Sequence, residues 1–190
     1  MILKETGTIP ATALPVQELA EHLRLGHGFT DDGAEDALLE RLLREAVALV
    51  EQRLAVAVFR RGFLLEVSAW DRRGHLVLPV GPVEAVQSLE LVSGGTATAV
   101  DASEWMLEKA AVRQRVAAPD GGALPSLDGG TTARAAFDAG YAQSWSEVPG
   151  DLARAIMLLA AHAYDNRHGE DDGVPGGLLA LLDLRRPVRL

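Results

Sequence analysis

A chain of 190 residues has room for one domain and little more, and 48% apolar with 24% charged residues is a globular composition. It contains no cysteine, which excludes disulfide scaffolds, thiolate catalysis and cysteine-ligated metal sites. A net charge of -9 argues against a general nucleic-acid coat, because neutralising phosphates takes an excess of Lys and Arg.

The N-terminal residues lack a basic stretch followed by an apolar one, so no secretory signal is expected there. No stretch approaches the length of an uncharged membrane span. The expectation is a soluble protein, cytoplasmic where it is made, with no membrane partner.

Helices come first. Pro15 is placed to open one, and Val16, Leu19, Ala20 and Leu23 follow at helical spacing until Gly26 and Gly28. Thr30, Asp31 and Asp32 offer N-cap oxygens to a second, with Glu35 and Asp36 in its first turn. Leu38, Leu39, Leu42, Leu43, Ala46, Val47, Leu49, Val50 and Leu54 then form a stripe of 3.6-residue period, opposite Glu40, Arg41, Arg44, Glu45 and Glu51.

After Arg61 the period changes to two, with Phe63, Leu65 and Val67 alternating against Leu64, Glu66 and Ser68. Residues 71–74 read as a turn and 75–78 as the returning strand, followed by a Pro79–Pro82 corner. A longer strand is expected over 83–92 and shorter ones over 105–107, 112–116 and 134–139. The Gly- and Pro-rich run 118–130 reads as a loop too poor in large apolar side chains to pack by itself, and is expected to be mobile in the free subunit.

The close is helical again. Leu152, Ala155, Ile156, Leu159, Ala160 and Ala163 make an apolar face that ends near Gly169. An acidic joint, Glu170-Asp171-Asp172-Gly173, leads to a tail with Leu178, Leu179, Leu181, Leu182 and Leu184 before Arg185, Arg186 and Arg189. The fold class expected is α+β, a mainly helical body of two N-terminal helices, one long C-terminal helix and a tail helix, with a small antiparallel β-insertion. It is read as a single domain over 1–190, with helices in 15–56, the insertion over 62–140, a helix over 149–169 and a tail over 176–190.

Chemical motifs are sparse. The histidines are His22, His27, His75, His162 and His168; His162, Asp165 and His168 could share a helix face, but the usual zinc spacings are missing. Gly121-Gly122 and Gly129-Gly130 are not followed by the Lys-Ser/Thr of a phosphate loop. Ser144 and Ser146 lack a nucleophile-elbow context, and Trp70, Trp105 and Trp145 stand apart from Arg clusters. No catalytic residue, metal site or cofactor is expected. A small hydrolase using His162 and Asp165 is the enzyme alternative.

Four segments in order resemble one family. They are Pro15-Val-Gln-Glu-Leu-Ala-Glu-His-Leu-Arg24 with Asp31-Asp32; the helix over 38–53 with Ala46 and Glu51; Leu76-Val-Leu-Pro-Val-Gly-Pro-Val83 with Val86 and Ser88; and Phe137-Asp-Ala-Gly-Tyr141 followed by Val148-Pro149, the helix to Ala160, Tyr164 and Arg167. Together these are similar to the head–tail connector, or adaptor, proteins of long-tailed phages and gene transfer agents. The resemblance implies a structural role: a ring, usually a dodecamer, under the portal, joining head to tail and extending the DNA channel. It implies as partners other copies of the chain, the portal and the next neck (stopper) protein, with duplex DNA passing without sequence-specific binding. The tail residues Leu178, Leu179, Leu181, Leu182, Leu184, Arg185, Arg186 and Arg189 are then the portal-binding set, the alternative being that the tail folds back on its own core. A stopper-type neck protein is the nearer alternative.

Overall fold

In the computed structural model, which describes residues 1–25, 34–109, 113–166 and 176–183, the alternating run after Arg60 is the heart of a sheet. The chain divides into two compact units, Met1–Thr8 with Phe59–Gly140, and Ile9–Val58 with Tyr141–Leu190.

The first unit is built of strands. They are β1 (Ile2–Glu5), β2 (Arg61–Val67), β3 (Leu76–Val77), β4 (Val83–Ser93), β5 (Thr96–Ala99), β6 (Met106–Glu108), β7 (Arg115–Ala117) and β8 (Thr132–Ala139). Five form an antiparallel sheet in the order β1-β2-β8-β4-β5, and three form a second sheet in the order β3-β7-β6. On β2, Arg61, Phe63, Leu65 and Val67 face inward, and on β8 Ala133, Ala135, Phe137 and Ala139 do the same, as period-two alternation requires. Phe63 and Phe137 are cross-strand partners, their rings stacked with centroids 5.5 Å apart. Alanines around Phe137 leave room for both rings. β4 lacks clean alternation because its register against β8 shifts twice, between Val83 and Ala85 and between Val86 and Ser88.

The second unit is helical. α1 (Val16–His22), α2 (Ala34–Leu54), α3 (Gly150–Asp165) and α4 (Gly176–Asp183) share a core that includes Leu19, Leu43, Val47, Leu152, Ile156 and Leu182. α2 ends where Ala55 takes a positive φ of 56°, and Glu51 then accepts the Val58 N–H at 2.7 Å. Tyr164 donates its hydroxyl to Glu35 at 2.7 Å, joining the end of α3 to the start of α2.

The expected mainly helical body with a small insertion is therefore corrected. Eight antiparallel strands stand beside four helices among the described residues, and the β unit is comparable in length to the helical one. A helix of six turns announces itself by one long stripe, whereas strands of two to four residues carry no measurable period. β1 is the sharpest omission: its pairing with β2, Ile2 opposite Glu66 and Glu5 opposite Phe63, has no local signal.

One further reading changes. The strand after the Asp71 turn does not return along β2, whose two sides are taken by β1 and β8; Leu76 pairs with Val116 instead. The run 118–130 is tied at its middle. Leu124 is buried and donates its N–H to Gly74 O at 3.0 Å, and the Trp70 indole donates to Pro125 O at 2.8 Å.

Candidate functional site

Leu178 and Leu182 lie four residues apart, so they share one face of α4. That face is turned into the helical unit, where α4 packs on α2 and α3 and leaves Leu178 only 7% and Leu182 2% exposed. Asp183, the last residue of α4, accepts two bonds from Arg53 in the final turn of α2. Arg53 Nε donates to Oδ1 at 3.2 Å and Nη2 to Oδ2 at 2.8 Å, a parallel fork. Both side chains are partly exposed, so solvent screens the pair. The side chains of Leu179 and Leu181, and residues Leu184, Arg185, Arg186 and Arg189, lie outside the described residues. Of the expected tail set, the structure thus places two leucines, both against their own unit.

Four arginines of the β unit are matched by carboxylates within it. Arg61 holds Glu5 at 2.9 and 3.0 Å, and Arg115 holds Glu108 at 2.6 Å. Arg134 on β8 stands between Glu66 of β2 and Glu90 of β4, at 3.8 and 4.0 Å, while Arg60 reaches Glu84 at 3.7 Å. These four arginines do not form an unmatched basic stripe of the kind a phosphate backbone selects.

One turn perturbs a carboxylate. Burial works to raise the Asp71 pKa, but the N–H groups of His75 and Arg73, each 2.9 Å from Oδ1, outweigh it with help from the His75 and Arg115 charges and hold it below the ordinary value. His75 itself is buried, with Nδ1 3.7 Å from Asp71 Oδ2. At exposed Asp101 the hydroxyl and N–H of Ser103 lower the pKa in the same way.

The candidate chemistry weighed from sequence resolves into structural contacts. His162 bonds with Asn166, whose Nδ2 is 3.0 Å from its ring Nδ1 and also donates to its backbone oxygen. Asp165 is exposed, and His168 and the acidic joint 170–173 lie outside the described residues. Among the described residues no group of three His, Asp or Glu is placed to hold a metal ion. Ser144 and Ser146 are exposed, with their Oγ atoms 3.1 Å apart. Each tryptophan gives its indole N–H to its own unit: Trp70 to Pro125 O, Trp105 to Val100 O and Trp145 to Glu18 Oε2. Gly121, Gly129 and Gly130 adopt positive φ as turn residues do.

The motif glycine has a steric reason. Gly140 has φ 141°, and a Cβ there would fall 2.4 Å from both the Cα and the N of Arg60. Its N–H is bonded to Pro82 O at 2.9 Å, which brings together two of the four recognised segments. Glu51 likewise owes its place in the helix motif to the Val58 amide. The Arg53–Asp183 fork was invisible in the sequence, since 130 residues separate the partners.

No family model matches the chain, and no curated protein does. Solved structures do. A chain from the neck of an empty gene transfer agent (GTA) particle, computed with C6 symmetry, is 44% identical, with a TM-score of 0.89 over 100% of this chain and 97% of that one. A chain from the virion of a native GTA particle is 44% identical, with a TM-score of 0.86 and the same coverage. A chain from the neck of a native GTA particle, computed with C12 symmetry, is 39% identical, with a TM-score of 0.85 and again the same coverage.

Proposed function

This chain belongs to the head–tail connector family, the neck proteins of gene transfer agents and long-tailed phages, and from that membership we propose how it works. It is a structural component of the neck of a GTA particle, and there it forms an oligomeric ring. The ring is a dodecamer: necks of similar chains were computed with C12 and with C6 symmetry, and a twelvefold axis contains a sixfold one. Its subunits meet head to tail, since only a heterologous contact closes a ring of that size.

The ring sits between the portal and the stopper protein and extends the DNA channel. The net charge of -9 disfavours a tight hold on phosphates, and Arg60, Arg61, Arg115 and Arg134 are already matched by carboxylates, so the duplex slides through without sequence-specific contacts. The tail attaches the ring to the portal. Leu178, Leu179, Leu181, Leu182 and Leu184 fill a groove between portal subunits, and Arg185, Arg186 and Arg189 pair with portal carboxylates. The role is mechanical, with no reaction and no cofactor or metal. Before assembly the subunit resides in the cytoplasm of the producing cell.

The observation that carries this reading is similarity along the whole chain to GTA neck proteins at 39–44% identity. Deleting the gene and purifying the particles tests it. Filled heads without tails, restored to tailed particles by the chain supplied in trans, are expected. Tailed particles from the deletion strain would overturn it.

A further inference from the structure

The two placed leucines of the tail cannot serve two partners at once. Leu178 and Leu182 are buried against α2 and α3, and Arg53 clasps Asp183 beside them. We propose that α4 is a latch: closed, it keeps for its own unit two of the leucines that the tail presents to the portal, so docking requires α4 to leave α2 and α3. The inference rests on the portal-binding reading of the tail.

The contact is built to open. An eight-residue helix is too short to hold itself in water, so α4 is helical while it is packed and free to refold on another apolar groove. Its first turn is Gly176-Gly177, both exposed, and among the described residues nothing lies within 4 Å of where a Cβ would stand, so these two glycines add no side-chain packing. Among the described residues, one apolar face and one partly exposed ion pair hold it. The closed form hides leucines that would otherwise be offered to any apolar surface before assembly. Portal affinity is then reduced by the fraction of chains that are open, and any change that favours opening raises it.

The absence of cysteine makes a direct test clean. The full chain carrying Arg53→Cys and Asp183→Cys is joined by a short, reducible bismaleimide, and its binding to portal-bearing heads is compared before and after the linker is cleaved. The locked chain should bind at least about tenfold more weakly than the cleaved one. Arg53→Ala alone, which removes the clasp and no buried group, should tighten binding about two- to fivefold and speed amide exchange over 178–183 by a similar factor. Equal binding by the locked and cleaved chains overturns the latch, as does unchanged or weaker binding by Arg53→Ala. A chain lacking 176–190 separates the two ideas: if it binds heads as well as the full chain, the portal-docking reading itself is wrong.

Discussion

Arg61 grips the Glu5 carboxylate with Nε and Nη2 while its side chain is only 5% exposed, and Glu5 remains 55% exposed. The guanidinium also donates to Phe59 O and lies 5.0 Å from the Phe63 ring centroid, so β1 is pinned to β2 above the Phe63–Phe137 pair. Glu5→Ala removes both charge-assisted bonds from a guanidinium that is almost fully buried and should cost about 1–3 kcal/mol. Glu5→Gln keeps one acceptor oxygen for it and should cost less. Urea unfolding of the two variants checks this, and equal losses would refute it.

Gly140 admits no side chain, because φ is 141° and the Arg60 backbone occupies the Cβ position. Gly140→Ala should lose about 2–5 kcal/mol, from strain and overpacking together. Gly94 also has a positive φ, 56°, but faces open space. Gly94→Ala should lose only about 1 kcal/mol. Similar losses at the two sites, measured by chemical denaturation, would argue against the steric account.

Much of the helical unit was legible, because α2 and α3 each repeat a 3.6-residue stripe over several turns and begin with acidic residues. β2 was legible by alternation. The rest failed for identifiable reasons. β1 and β3 find their partners far along the chain, and β4 is bulged, so the sheet outgrew the small insertion expected. The motif residues Gly140 and Glu51 could be recognised in sequence, but their causes, the Arg60 backbone and the Val58 amide, needed the fold. The tail's leucines were visible as a group, while the Asp183 partner that fixes α4 was not.

Asp71 gives an acid dependence. Its folded pKa lies below the unfolded one, so the stability it contributes is complete above the unfolded value and is lost as pH falls through the folded one. Part of the decline in stability below about pH 4 should therefore disappear in Asp71→Asn. Unfolding followed from pH 6 down to pH 2 (about the range of carboxylate titration) checks this. Parallel curves for the two proteins would contradict it.

Leu124 anchors a segment whose composition alone suggests a free loop. Its amide, bonded to Gly74 O, should exchange slowly in the isolated subunit, while the exposed Gly121 and Gly129 turns exchange faster. Leu124→Ala should cost about 2–3 kcal/mol and release the Trp70 contact, seen as a shift in tryptophan emission. Coil-like exchange at Leu124 in the wild-type protein would show that this anchor does not hold.

We propose that this chain forms the ring between portal and stopper in a GTA particle. The decisive measurement is cryo-electron microscopy of intact particles, with the chain carrying a small folded tag at its N-terminus. The account predicts a twelvefold ring of this fold immediately below the portal, encircling the DNA channel, with tag density around it. Tag density in the capsid shell or the distal tail, or a neck without this fold, would contradict it.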